Sequence, residues 1–469
     1  MKYEMRSTWM SLVSMFFIFL FVACTDDPQL PDNLANFESD QLGFAADENE
    51  LAININFSRP ADQSGSVVIS VEMTGVEYNT DFTTSPASSS NSLTIDVPKG
   101  ASQASFVITR LSNALLDGDE SISFSIISVP DKLLPGSKPQ LVLSFAEILA
   151  QQAIMDINGG GSNYPNKVFI DLSANRQTAV NRTNWDLGFY GGADFRVTLN
   201  SSVTMMAREL DKTDLNSVTA ADTIGFNDAM IIGANASAAG MAWIDDPAGD
   251  LTKTAIASIS ATDSENKVYI INRGAANPPN DPSEPVPTRG WKKVRILRNA
   301  SGYTVQYADI SATSFQEFQV SKDEQLLFKY ISFDTGSALI EPQKNRWDIA
   351  WTGFTNATNL GGGFIPYFFQ DVVLQNRNGV ETVELLTANV GSYENFGESN
   401  LTGLVFSTHQ LGIGTKWRSG GGPGSAPAIR SDRFYVVKDA DGNIYKLRFT
   451  ALTQDGQRGR PQVEFELIK

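Results

Sequence analysis

Part of this chain is written twice, and that repetition limits its fold more than any single motif. Phe169 to Phe189 (FIDLSANRQTAVNRTNWDLGF) and Tyr330 to Trp351 (YISFDTGSALIEPQKNRWDIAW) follow one plan. Each has a short apolar run, a turn-rich stretch, and then Trp-Asp opening a second apolar run, with one residue inserted in the later copy. A second pair sets Trp291 to Tyr307 (WKKVRILRNASGYTVQY) against Phe434 to Phe449 (FYVVKDADGNIYKLRF), each a strand, a polar turn ending in Gly, and a strand. A third matches Phe315 to Val320 (FQEFQV) with Pro461 to Leu467 (PQVEFEL). Three landmarks in one order, twice, mark residues 157–312 and 313–469 as two copies of one β-rich unit, and internal repeats decide architecture before other signals do.

Successive side chains of a strand point to opposite faces. Trp185 and Trp347 therefore take the core, and Asp186 and Asp348 face the other way, placed to accept hydrogen bonds from a neighbouring turn. Recurrence in both copies argues for a folding role for these carboxylates over a catalytic pair.

The amino terminus suggests a compartment. Lys2 and Arg6 precede an apolar run, Trp9 to Ala23, shorter than the roughly 20 residues that span a bilayer and laid out as an export signal over residues 1–23. Cys24 is the sole cysteine, which rules out an internal disulfide. A lone Cys after a small residue at the end of such a run resembles a bacterial lipoprotein box. The resemblance implies cleavage before Cys24, lipidation of its sulfur, and a tether over residues 24–36. Thr25-Asp26-Asp27 resembles the acidic surface-export tag of Bacteroidetes lipoproteins, implying an outer-membrane, cell-surface location held by the lipid anchor alone. A formal net charge of −17 repels phosphate backbones and argues against nucleic acid as a partner.

From residue 37 to 145 the pattern is all-β: LAININF, SVVISVEM, SLTIDV, ASFVIT and SISFSIISV, separated by Gly, Ser, Asp and Pro. Asp81-Phe82, PKGASQASFVI and DGDESISFSI make this segment resemble a Calx-β or related immunoglobulin-like sandwich. In that family carboxylates at one end hold Ca²⁺, which here implies Glu50, Asp81, Asp117, Asp119 and Glu120; the competing reading leaves them as solvated turn residues. The stretch Leu141 to Asp156 fits neither strand nor helix period cleanly and reads as a last strand running into a short linker helix. In the first copy, Thr213 is a plausible cap for a short helical stretch, followed by a loop-rich insert from Gly225 to Leu251. Long loops on a stiff β frame are where binding sites gather.

Most enzyme chemistries have no residues to work with. His409 is the only histidine, which excludes multi-histidine zinc sites, and no Gly-x-Ser-x-Gly elbow or phosphate-cradling Gly motif occurs. Asp439-Ala-Asp-Gly-Asn imitates the start of an EF-hand loop, but strands flank it and it reads as a hairpin turn. The expectation is an all-β, non-enzymatic binding protein with few short helices.

The order YISFDTG, NRWDIAW, RFYVVKDADGNIYKLRF and PQVEFEL resembles the HmuY-like haem-binding lipoproteins of Bacteroidetes, covering residues 313–469 closely and 157–312 more loosely. The resemblance implies haem or porphyrin as ligand and a TonB-dependent outer-membrane receptor as partner. Family members grip the iron with two histidines, or methionines, on loops before the terminal hairpin. Here His409, in LVFSTHQLGIG, is the first candidate ligand, and a second must come from Met205, Met206, Met230, Met241 or Tyr393. The alternative is a surface adhesion protein that keeps the fold without haem, using its Gly- and Pro-rich loops and Tyr367-Phe368-Phe369 on a glycan or protein.

Overall fold

The computed structural model describes residues 31–44, 48–111, 120–145, 149–279, 283–420, 425–454 and 456–469. The described chain is built almost wholly from antiparallel strands, with helices of at most six residues, and none long and apolar enough to cross a membrane.

The first ten strands are β1 (Asn33–Phe37), β2 (Gln41–Gly43), β3 (Glu50–Phe57), β4 (Gly65–Thr74), β5 (Phe82–Ser85), β6 (Ser92–Val97), β7 (Gln103–Arg110), β8 (Ser121–Ser128), β9 (Leu133–Pro135) and β10 (Gln140–Ser144). They form two sheets, ordered β5-β7-β3-β1-β9 and β2-β10-β8-β4-β6. Alternate residues point inward, so Ile53, Ile55 and Phe106 of one sheet meet Ile69, Val71 and Phe124 of the other in one core. This sandwich starts earlier than the sequence suggests. The first four residues of β1, Asn33 to Asn36, fall inside the expected tether; they are strand because Ala35 and Phe37 are buried and the segment pairs with β3.

The first copy then contributes β11 (Gln152–Asp156), β12 (Asn166–Asp171), β13 (Arg176–Asn181), β14 (Leu187–Tyr190), β15 (Val197–Leu199), β16 (Met206–Leu210), β17 (Val268–Asn272), β18 (Trp291–Arg298) and β19 (Gly302–Ala308). The second contributes β20 (Gln316–Ser321), β21 (Phe328–Ser332), β22 (Gly336–Ala338), β23 (Ile349–Asn359), β24 (Phe364–Gln375), β25 (Glu381–Leu386), β26 (Arg433–Lys438), β27 (Ile444–Ala451) and β28 (Gln462–Leu467). The expected linker helix before residue 156 is instead strand β11.

The two copies do not fold side by side. Their opening strands are exchanged. β11 pairs with β28, the last strand of the second copy, and β20 pairs with β19, the last of the first. β12 pairs with β23, and β21 with β14. Each core is accordingly mixed: Met155, Val168 and Ile170 pack with Ile349, Trp351 and Phe465, while Val320, Ile331 and Phe333 pack with Leu187, Val294 and Val305.

A matching set of hydrogen bonds fixes the correspondence. Asp186 and Asp348 donate their backbone N–H to Ile331 and Ile170 across the exchange, both at 2.7 Å. Their carboxylates accept the N–H of Phe333 and Leu172, both at 2.8 Å, which is the turn-bonding role expected for these residues. Buried Asn200 and Asn376 donate to the carbonyls of Trp185 and Trp347 at 2.9 and 2.7 Å.

At the far end the correspondence differs from the sequence matching by one strand. Buried Lys293 on β18 donates to the carbonyls of Val218 and Ala312, and buried Lys446 on β27 donates to those of Tyr393 and Phe396. These lysines occupy the third place in two five-stranded sheets, β16-β17-β18-β19-β20 and β25-β26-β27-β28-β11. WKKVRI thus corresponds to IYKLRF, and FQEFQV to β11. Neighbouring antiparallel strands of similar alternation look alike in sequence, and only pairing tells them apart. The Asp439 motif is a hairpin turn: its carboxylate accepts the N–H groups of Asp441 and Asn443, and Gly442 takes a φ of 98°.

The sandwich rests against β13 and the strand-linking turns of the repeat body. Arg176 pairs with Glu48 at 2.8 Å, and Asn158 donates to Asn56 at 2.9 Å.

Candidate functional site

The inserts of the two copies meet at one place on the repeat body. Ala248 to Leu251 come from the first insert, and Phe406 to His409 from the second. Gln410 joins them, donating to the Pro247 carbonyl at 2.9 Å, while Arg377 donates to that of Gly249 at 3.1 Å. Between them lies an open cavity of about 580 Å³, walled by Tyr190, Leu251, Leu327 and Phe406 with Ser407, Thr408, His409 and Arg377 at its polar side. That volume falls within the ~300–1,000 Å³ of small-molecule clefts.

His409, singled out because no other histidine exists, lines this cavity. Its Nδ1 accepts the Leu411 N–H at 3.0 Å, so the neutral ring carries its proton on Nε2 and offers a donor to the cavity. Axial binding of a metal through Nε2 has to displace that hydrogen bond, since ligating histidines normally hold a proton on the other nitrogen.

The remaining candidates lie elsewhere. Met205 is 1% exposed in the core formed by β14 to β20, and Met206 and Met230, at 0 and 1%, fill a neighbouring cluster against which Met241 packs. Tyr393 is buried edge-on against Phe434 with ring centroids 5.7 Å apart, and its hydroxyl donates to the Lys446 carbonyl. None of these five lines the His409 cavity. Methionine in an alternating apolar stretch is packing material here, which the sequence alone left open.

In the sandwich, Glu50 opens β3 and Asp81 is the turn residue just before β5, both beside the same end of β7, and the Asp81 carboxylate accepts the Glu77 N–H at 2.8 Å. Glu120 is buried. Asp117 and Asp119 lie outside the described residues, as does Cys24. Among the described residues no group of three or more His, Cys, Asp or Glu is arranged to hold a metal ion.

Next to the His409 cavity the seam between the copies encloses a smaller recess of about 70 Å³, and the two share Gly249, Asp250, Leu251, Leu327 and Arg377. Trp185 and Trp347 both line it. Their indole N–H groups have no hydrogen-bond partner, and each ring meets an aromatic of the other copy edge-on: Trp185 with Tyr330 at 4.6 Å, Trp347 with Phe169 at 5.0 Å. Lys167, Glu341, Asp245 and Arg377 also line it. Sequence reading passed over these four, because isolated charged residues usually read as solvated surface.

The model of the family described as HmuY protein matches residues 163–330 and again 324–466, together more than half of the chain. The chain belongs to the HmuY family. Two matches, one per copy, agree with the doubled hydrogen-bond frame, and the HmuY family is one of binding proteins. No curated protein matches the chain. Among solved structures, the apo-form Calx CBD1 domain is 12% identical, with 24% of this chain and 96% of that one covered at a TM-score of 0.21. A putative carbohydrate binding protein from Bacteroides ovatus is 13% identical over 88% of this chain and 95% of its own, at a TM-score of 0.16. A two domain protein with unknown function from Bacteroides fragilis is 10% identical over 41% and 74%, at a TM-score of 0.18.

Proposed function

We propose that this HmuY-family chain is a non-enzymatic, lipid-anchored surface protein that captures haem or a related porphyrin in the His409 cavity and passes it to a TonB-dependent outer-membrane receptor. The observation that supports it is the meeting of the chain's one histidine with a cavity of small-molecule size, built by inserts of both copies. Tyr190, Leu251, Leu327 and Phe406 suit a flat apolar face, and Arg377 suits an acidic edge. The sandwich serves as the spacer between anchor and cavity, with Ca²⁺ at its Glu50–Asp81 end as a proposed stiffener.

Because Nδ1 of His409 accepts the Leu411 N–H, ligation through Nε2 gives up one neutral hydrogen bond, which takes about 0.5–1.5 kcal/mol, up to about tenfold, off the advantage that iron gives haemin over metal-free protoporphyrin. Titration of residues 31–469 with both, followed by absorbance, tests this. No change in the Soret band with either, or a change that His409→Ala together with Leu251→Asp leaves intact, removes the cavity from consideration.

A second reading rests on Tyr367 and Phe369, partly exposed on β24 with ring centroids 5.0 Å apart, a surface on which a sugar face can stack. Retention on a glycan array, lost in Tyr367→Ala, and no porphyrin binding is its expected result.

A further inference from the structure

The seam recess holds a buried ammonium that only ring faces and the field of Glu341 answer, with no hydrogen-bond acceptor of its own. Lys167 is 9% exposed, and among the described residues its ammonium makes no hydrogen bond and no ion pair; its Nζ sits 4.6 Å from the Phe169 ring centroid and 6.0 Å from that of Trp185. A buried ammonium without acceptors is costly, and native structures satisfy such groups with protein, water or ligand. The four carboxylates that line the recess are already engaged, Asp246 by the Asp250 N–H at 3.2 Å. Asp245 accepts the N–H groups of Leu199 and Ala255 at 2.7 and 2.9 Å. Glu341 accepts the Phe328 N–H and the Tyr330 hydroxyl at 2.9 and 2.6 Å. Asp250 pairs with Lys253 at 2.9 Å.

The recess is also a departure from the repeat. Trp185 and Trp347 obey the pseudo-twofold relation, whereas Lys167 on β12 stands where β21 has Phe328, and Arg377 stands where the first copy has Ser201, just after the matching Asn376 and Asn200. A seam kept only for packing has no need of these charges. At about 70 Å³ the space holds a group of a few heavy atoms, several times the ~10–15 Å³ that one water requires.

We propose that this recess is a carboxylate-binding site in which the Lys167 ammonium, with Arg377 at the entrance, takes a small monocarboxylate or the carboxylate arm of a larger molecule. Burial pulls the Lys167 ammonium down to about 8, which leaves it mostly charged near neutrality. Since the recess opens toward the His409 cavity, an acidic arm on a guest there reaches the same ammonium. The site itself is independent of whether that guest is a porphyrin.

Sodium propionate is the probe, titrated calorimetrically and by thermal melting against sodium chloride at equal ionic strength. The expected result is saturable binding with a rise in Tm that chloride does not give. Lys167→Met weakens it on the order of tenfold, the loss of one charge-assisted hydrogen bond, and Lys99→Met on the exposed sandwich surface leaves it unchanged. Glu341→Gln, which removes the nearest negative charge and keeps the shape, tightens it, so the site is testable even if Lys167→Met does not fold. A Tm rise equal to that of chloride, or propionate affinity unaffected by both substitutions, overturns the site. Absence of porphyrin binding with propionate still bound rejects only the reading of the outer cavity.

Discussion

Asp186 and Asp348 occupy the same place in two copies of one frame, and their surroundings are opposite. Both are buried, and both use a carboxylate oxygen to hold a backbone N–H of the other copy's opening hairpin. Around Asp186 stand two guanidiniums: Arg273 forms a two-pronged pair at 2.8 and 2.9 Å and Arg289 approaches to 3.0 Å, with Asp334 completing the cluster on Arg273. Around Asp348 stand only more acids. Burial first, and then repulsion from Asp171, Asp439 and Asp441, holds its carboxyl well above the ordinary range. Among the described residues none of these four has an ion-pair partner. The frame needs an acceptor at this position and is indifferent to charge: one copy meets the requirement with a neutralised anion, the other with a carboxyl that favours its proton.

The sharpest way to break this comparison is to remove the charge and keep the acceptor in both copies. Asp186→Asn leaves two buried guanidiniums without their anion and is expected to cost about 3–5 kcal/mol in urea unfolding, whereas Asp348→Asn, which retains an acceptor for Leu172, changes stability by about 1 kcal/mol or less at about pH 4, where the wild-type carboxyl holds its proton. Equal losses would mean that both sites work through charge. The shared part of the frame predicts equality instead. Asn200→Ala leaves the Arg182 carbonyl without its donor and Asn376→Ala the Trp347 carbonyl, while Arg289 still donates to Trp185 and Asn378 to Lys344; each is expected to cost about 1–3 kcal/mol, the pair agreeing within about 1 kcal/mol.

The same carboxyl also gives the comparison a pH dependence. A carboxyl whose folded value is raised binds its proton more tightly in the native state, so its contribution is present in full below the unfolded value near 4 and fades as pH rises through the folded one. Wild type should therefore lose stability relative to Asp348→Asn between pH 5 and pH 8, read from urea midpoints. A flat difference over that window would place Asp348 as an ordinary ionised carboxylate.

Much of this frame was readable from the residues. The doubled Trp-Asp strands, the all-β character and the turn-bonding role of the aspartates follow from alternation and repetition, which are local properties. Which strand lies beside which is not local. β11 and β20 have the same alternation whether they pair within their own copy or across, so the exchange left no mark, and the terminal hairpins were matched one strand out of step. The inward lysines were available as a signal, a Lys flanked by apolar residues at the same place in WKKVRI and IYKLRF, since such a lysine is either an edge residue or a buried donor to carbonyls. His409 was found by scarcity. Lys167, Glu341 and Arg377 were not, because a charge becomes informative only when something is seen to cover it.

The exchange of opening strands also orders events in time. β11 finds its partner in β28, and Gln462 donates to Asp156 across a separation of 306 residues. A chain made from its amino terminus thus carries an unsatisfied sheet edge through about two thirds of its synthesis, and that edge closes only when β28 emerges. Loss of a few residues at the carboxyl end uncovers β11 as well, so a frayed tail and a frayed opening strand are a single lesion.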